Sequence, residues 1–372
     1  MNAVATPSVP HYGSGALADL APSVLAALRV PGGHNVLELP ELPRACVLLI
    51  DGLGWELLRA HPEQAPYLSS LPGRPLTAGF PATTVTSLGS LGTGLSPAMH
   101  GLLGYQIRNP ETGRLLNCLR WPDEVDPLTF QPAATAYSRA AEAGVSVAYV
   151  ASGRHKDSGL SRAVNRGADY LPADSLGQLV AHAEHALRLG DRAYVTVYHP
   201  DLDSTGHVYG AGSSAWRHQL RFVDALAEQL AGVLPAGTAM YVTADHGMVN
   251  PIERVDVDEV TVLRQGVALL GGEPRARHLY TEPGATPDVL ATWRELLGDQ
   301  VWVFSREEAV AAGWFGPVAE ELLPRIGDVL AVPYGNVAIV ATGAEPLESG
   351  LIGMHGSMTP AEQLVPLLSA SA

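Results

Sequence analysis

Apolar and polar residues follow two different rhythms along this chain, and the change of rhythm divides it. Between Arg44 and about Asn250, short unbroken apolar runs are separated by longer segments of helical periodicity. The unbroken runs are Ala45–Ile50, Val145–Val150, Tyr194–Tyr198 and Ala239–Thr243, each the length of a strand buried on both faces. The segments Ala133–Ala143, Ser175–Leu189 and Ala215–Val233 predict helices. Strand and helix in alternation predict an α/β fold whose largely parallel sheet is sandwiched by helices. The first 40 residues read as an arm with a short helix around Ala21–Leu28.

After Pro251 the pattern mixes strands (Arg277–Tyr280, Val301–Phe304, Val337–Ala341) with helices (Pro287–Leu297, Ala319–Leu323). It reads as a smaller α+β cap over 251–345, inserted into a core made of 1–250 and 346–372. The Pro- and Gly-rich stretch Gly104–Gln131 reads as a lesser excursion on the same face.

Composition narrows the function classes. A chain of 372 residues with 47% apolar content can bury a large core. Its net charge is −15 and Lys156 is its only lysine, so a basic nucleic-acid-binding stripe is not expected. A small phosphorylated substrate remains compatible, because metal ions can supply local positive charge. Cys46 and Cys118 make no disulfide framework, and Cys46 reads as a core residue. No basic segment followed by an apolar one opens the chain, and no run of about 20 apolar residues occurs. A cytoplasmic protein without membrane contact is the expectation.

The chemistry collects just after the apolar runs, where open α/β sheets bind ligands. Asp51 opens Asp51-Gly52-Leu53-Gly54-Trp55, and its carboxylate can face an ion while the glycines turn the backbone away. An Asp-Gly pair is also an ordinary turn. Asp203 and His207 stand four residues apart, a spacing that brings both to one side of a helical turn and lets them share a metal. Asp201, two residues earlier, faces elsewhere on such a turn. Asp245-His246-Gly247 follows another strand, and His355-Gly356 comes late, after the inserted region. His199 adjoins the Asp203 loop and reads either as a support for it or as packing; His100 is equally open.

Thr84, in Pro81-Ala82-Thr83-Thr84-Val85, falls near a helix start. It reads as a plain cap or as a nucleophile placed where free N–H groups favour an anion. A threonine hydroxyl is inert until a base or metal activates it, so the second reading depends on the metals. Three acids, three imidazoles and one hydroxyl delivered to strand ends read as a two-metal hydrolase site.

In order, Asp51-Gly52, Pro81-Ala82-Thr83-Thr84, the Asp203/His207 spacing, Asp245-His246-Gly247 and His355-Gly356 resemble the alkaline phosphatase superfamily. Within it, the resemblance is to the type I phosphodiesterase/nucleotide pyrophosphatase family. Thr93-Gly94-Leu95-Ser96-Pro97-Ala98-Met99-His100-Gly101 is similar to the stretch that follows the nucleophile there, and counting back selects Thr84 over Thr83. The similarity spans about Arg44–Asn250 and Gly350–Met358.

The resemblance implies an alkaline-phosphatase-like core and two Zn2+ ions, with Mn2+ or Fe as alternatives. It puts Asp203, His207 and His355 on one ion, and Asp51, Asp245, His246 and the Thr84 oxygen on the other. It implies phosphodiester or pyrophosphate cleavage, as of a nucleotide, through a covalent phosphothreonine. Tyr105 occupies the position where nucleotide-cleaving members often carry a phosphate-binding asparagine, a departure. Tyr105, Trp55, Arg154 and Lys156 are the candidate substrate contacts. A phosphomonoesterase or phosphomutase of the same superfamily is the alternative, and a catalytically degenerate, metal-stabilised binding protein is the rival from another class.

Overall fold

The computed structural model describes residues 6–372. Seven strands build the central sheet: β1 (Arg44–Ile50), β2 (Gly73–Thr77), β3 (Ser146–Ala151), β4 (Asp169–Pro172), β5 (Ala193–His199), β6 (Thr238–Thr243) and β7 (Leu364–Ser371). Their spatial order is β2-β7-β6-β1-β5-β3-β4. β1 lies at the middle, parallel to β5 on one side and to β6 on the other, and β5, β3 and β4 continue in parallel. Only β7 runs against its neighbours, β6 and β2. Helices cover the sheet, so β1, β5 and β6 are buried along nearly their whole length. Burial on both faces is why these strands appear in sequence as continuous apolar runs.

Because the strands are parallel, their carboxyl ends share one edge, and the chain leaves that edge into the segments that carry the chemistry. The β1 end turns through Asp51, and β2 leads to helix α1 (Thr84–Thr93). β5 leads to α2 (Asp201–Tyr209), followed by α3 (Ser214–Val233), and Asp245 comes two residues after the end of β6. Gly52 has a φ of +74°, and a Cβ there would stand 3.0 Å from the Asp203 backbone. The Asp51 and Asp203 turns therefore pack closely only with glycine between them.

A second sheet of four antiparallel strands lies apart, in the order Val267–Glu273, Ala276–Thr281, Val329–Pro333, Val301–Ser305. Alternation assigns its side chains to two cores. Val301, Val303, Val329 and Ala331 join a separate cluster with Val289 and Trp293, while Trp302, Leu330 and Val332 pack into the main one. The Gly104–Gln131 excursion contains a hairpin, Gln106–Asn109 with Arg114–Asn117, and the Gln106 carbonyl lies 2.8 Å from where a Gly271 Cβ would stand.

The four expected core strands lie within a residue or two of the observed ones. The strands β2, β4 and β7 were not expected: each contains proline, and β2 and β4 are sheet edges, where pairing is one-sided and the pattern is weak. The helix expected at Ala319–Leu323 is a 3-10 turn over Glu320–Arg325, with Pro324 inside it. Among the described residues no helix is long and apolar enough to cross a membrane.

Candidate active site

Two groups of metal-compatible side chains meet at the carboxyl edge of the central sheet. One is Asp203, His207 and His355, the other Asp51, Asp245 and His246; within each group, ligand atoms lie within 4.8 Å of one another. In the first, His207 Nε2 is 3.2 Å from Asp203 Oδ2 and His355 Nε2 is 3.9 Å from Asp203 Oδ1. In the second, His246 Nε2 stands 3.4 Å from both Asp51 Oδ1 and Asp245 Oδ2. The groups adjoin, since the His246 and His355 rings stack with centroids 3.5 Å apart.

The hydrogen bonds around these residues leave the donor atoms an ion needs. Each ring places Nδ1 against a backbone carbonyl: His207 on Gly353 at 2.7 Å, His246 on Gly247 at 2.9 Å, His355 on Ala82 at 2.9 Å. A carbonyl only accepts, so each Nδ1 carries a proton, and it is Nε2 whose lone pair each ring can offer to an ion. Asp245 Oδ1 accepts from the Gly52 and His246 N–H groups, and Asp51 Oδ2 accepts from the Tyr198 hydroxyl. The remaining oxygens, Asp51 Oδ1, Asp245 Oδ2 and Asp203 Oδ1, are buried and accept no hydrogen bond. Such orphaned carboxylate oxygens are costly unless a cation neutralises them. The residues therefore fit two divalent ions.

Charge balance says the same. Burial, then the Asp245 and Asp203 carboxylates, push Asp51 well above the usual carboxylate range. Burial also opposes charge on Asp203, but His207 beside it wins and holds it below that range. Burial alone would lower His207, yet Asp203 lifts it to about 9. Burial, then His246, push His355 well down. Protons divided unevenly among close acids and imidazoles mark a site short of positive charge.

Thr84 opens α1, and its Oγ1 is 3.2 Å from His246 Nε2, which joins it to the Asp51–Asp245–His246 group. Thr83 holds the cap position, but its side chain caps nothing. Its hydroxyl donates instead to Glu273 Oε2 at 2.8 Å, so the plain cap expected near here is not what either threonine provides. Gly247 is needed behind His246, because a Cβ there would fall 2.0 Å from the Ala361 carbonyl.

Two cavities open on either side of Thr84. One, of about 250 Å³, lies toward Asp51 and is lined by Leu88, Tyr149, Leu160, Asn165, Tyr170 and Tyr198 among others. The other, of about 260 Å³, lies toward His207 and His355 and is lined by Tyr105, Glu273, Glu348, Leu351 and Met354. Of the four candidate substrate contacts, Tyr105 alone reaches a cavity at Thr84, with its hydroxyl donating to Glu348 Oε1 at 2.8 Å. Trp55, Arg154 and Lys156 line neither. Trp55 packs against the core with the Arg59 guanidinium over its ring, and Arg154 borders a separate cavity beside Asp174 and His199. Trp55 opens a short helix, Trp55–Ala60, and Arg154 sits in a 3-10 turn, Gly153–His155, that Lys156 ends; packing decides which way these short elements face, which nearness in sequence to Asp51 or to β3 does not reveal.

The open histidines are also placed. His199 turns its ring to Gln219, and only its backbone carbonyl touches the site, accepting the Asp51 N–H. His100 is packed under α1 between Ser90 and the Leu102 N–H. Asp201 is largely exposed at the start of α2, away from both groups. Tyr198, Glu273 and Glu348 went unread in the sequence. Tyr198 is the last residue of the expected strand and the second-last of β5, and Glu273 lies in a hairpin without a motif.

Comparison with known proteins follows this geometry. Residues 45–358 match the family model of type I phosphodiesterase / nucleotide pyrophosphatase. The chain belongs to this family. It is thereby placed among phosphodiesterase-type hydrolases of the alkaline phosphatase superfamily. No curated protein matches the sequence. Among solved structures, murine ectonucleotide pyrophosphatase/phosphodiesterase 5, an inactive variant in complex with AMP, is similar with a TM-score of 0.68 and 19% identity, over 88% of this chain and 87% of that one. The human counterpart gives 0.66 and 18%, over 88% and 87%. Phosphonoacetate hydrolase from Sinorhizobium meliloti 1021, in complex with phosphonoformate, gives 0.67 and 22%, over 89% and 90%. At these identities the likeness is one of fold, an α/β sandwich around a largely parallel sheet.

Proposed function

We propose that this chain hydrolyses phosphodiester or pyrophosphate bonds in small phosphorylated substrates such as nucleotides, with Thr84 as nucleophile. The observation that carries this reading is the Thr84 hydroxyl, 3.2 Å from His246 Nε2, at a helix start beside three orphaned carboxylate oxygens. Asp51, Asp245 and His246, with the Thr84 oxygen, would hold one ion, and Asp203, His207 and His355 the other. Zinc suits this mixture of nitrogen and oxygen ligands, and Mn2+ or Fe would be an amendment. When bound, two such ions lower the hydroxyl pKa and neutralise charge on the phosphoryl and leaving oxygens.

The protein's own contribution is placement. The N–H groups of the first turn of α1, which have no carbonyl of their own helix to bond, favour the anionic phosphoryl group beside Thr84. Carbonyl contacts on Nδ1 keep each imidazole in one tautomer and orientation, and Tyr198 and Gly52 do the same for Asp51 and Asp245. The Thr84 oxygen forms a bond to phosphorus as the bond to the leaving oxygen breaks. Water then cleaves the resulting threonyl phosphate and restores the hydroxyl. Two in-line displacements give net retention at phosphorus.

A diester is favoured over a monoester by the walls of the site. No lysine or arginine lines either cavity at Thr84 among the described residues. The extra charge of a monoester dianion would lack a fixed cation, which in such sites usually means arginine or lysine. Turnover of bis-p-nitrophenyl phosphate, p-nitrophenyl phosphate and p-nitrophenyl sulfate, measured side by side with metal content, tests the reading. Diester turnover should dominate and require metal; metal-free protein at full activity, or a monoester preference, would overturn it.

A further inference from the structure

We propose that the cavity on the His207–His355 side of Thr84 receives the leaving group and selects against negative charge there, favouring an alcohol that carries a hydroxyl or ammonium donor. This rests on the phosphodiesterase reading and narrows its substrate class. Thr84 belongs with His246, so in-line departure sends the leaving oxygen to the opposite side, toward Asp203, His207 and His355. That side opens into the 260 Å³ cavity walled by Glu273 and Glu348. The retained arm of the diester then occupies the 250 Å³ cavity of Tyr149, Asn165 and Tyr170.

The wall offers acceptors and no fixed cation. Glu273 is only 7% exposed; its Oε2 takes the Thr83 hydroxyl, while its Oε1 has no hydrogen-bond partner. Glu348 keeps Oε2 free beside the oxygen that accepts from Tyr105. Arg277, which lies near Glu273, is fully buried behind the wall and ion-paired to Glu345 at 2.7 Å. Burial lifts the Glu273 carboxyl to about 8, so the repulsion of anions falls to Glu348, while the unpartnered Glu273 Oε1 offers a polar contact to an O–H or N–H group on the leaving alcohol. A pyrophosphate tail brings charge toward the Glu348 carboxylate and no donors of its own.

The test uses two substrates with the same retained adenylyl group, ATP and the 2-aminoethyl ester of AMP, so that AMP is released from both. On metal-loaded protein, kcat/KM should favour the aminoethyl ester although pyrophosphate is the better leaving group. Glu348→Gln, at a half-buried position on a short surface helix, should move the ratio toward ATP by about tenfold, largely by raising KM for the ester. Glu273→Gln should move it the same way. A ratio unchanged in both variants, or a wild-type preference for ATP, overturns the proposal. Failure of the phosphodiesterase reading looks different: neither substrate releases AMP while p-nitrophenyl phosphate is turned over.

Discussion

The parallel sheet and the four-stranded antiparallel sheet contribute to the same site by opposite means. The parallel sheet sends several strand ends to one edge, and five of the six candidate ligand residues follow β1, β5 or β6 or lie on the helix after β5. The antiparallel sheet supplies a single hairpin, from which Glu273 alone reaches the Thr84 segment. Parallel order concentrates many side chains at one edge, whereas antiparallel strands alternate direction and deliver only their turns. In the proposed mechanism the parallel sheet holds the reacting groups and the hairpin tunes them.

The two regions are also joined. Arg275, two residues after Glu273 in the hairpin, makes a fully buried pair with Glu362 through bonds of 3.1 and 2.7 Å. Glu362 accepts in addition from Ser357 N–H and the Thr359 hydroxyl, and its own carbonyl takes the Gly247 N–H. One buried ion pair thus ties the hairpin to the loops of His246 and His355.

The sharpest way to break the comparison is Thr84→Ala. It should cost several orders of magnitude in turnover, on the order of 10³ or more, with both ions retained because the six ligands are intact. Kinetics with metal analysis checks this, and an active Thr84→Ala protein would remove the sheet edge from the chemistry. Chelation should come next, abolishing activity; Asp203→Asn should reduce bound metal below two ions per chain, read by elemental analysis.

Glu362→Ala follows, since it leaves Arg275 buried and unpaired, at a cost of about 3–5 kcal/mol in stability. Denaturant unfolding measures it, and a loss under about 1 kcal/mol would mean that the hairpin and the ligand loops are not held together by this pair. Thr83→Ala should be milder, removing one buried hydrogen bond to Glu273 at about 1–3 kcal/mol and slowing turnover far less than Thr84→Ala. If the Thr83 variant were the inactive one, the nucleophile would be misplaced by one residue.

The smallest effect concerns pH, and it compares the two regions directly. Burial drives His100, under α1, and His278, in the antiparallel sheet, down to about 3. Below the unfolded value of about 6.5, the unfolded chain binds protons these folded imidazoles refuse, so stability falls as pH drops from 6.5 toward 3. Each contributes up to about 1.4 kcal/mol per pH unit in that window. His100→Asn and His278→Asn should each flatten the dependence, measured as unfolding free energy at pH 5 and pH 7.5; equal slopes in wild type and both variants would refute it. Trp55→Ala should change nucleotide and nitrophenyl diester turnover equally, because Trp55 lines neither cavity.

Much of this was legible along the chain. Strands buried on both faces announce themselves as apolar runs, and five of the six candidate ligands follow such runs within a loop or a first helical turn. The sequence by itself thus determined the parallel core, the identity of the acids and imidazoles, and their order. What only the tertiary structure decided is which of them share an ion-sized space, that Tyr198 hydrogen-bonds Asp51, and that Glu273 and Glu348 wall one cavity while Trp55, Arg154 and Lys156 turn away. The physical reason is range. Periodicity and spacing report contacts within a few residues, whereas the Thr83–Glu273 bond joins positions 190 apart and exists only once two sheets have packed.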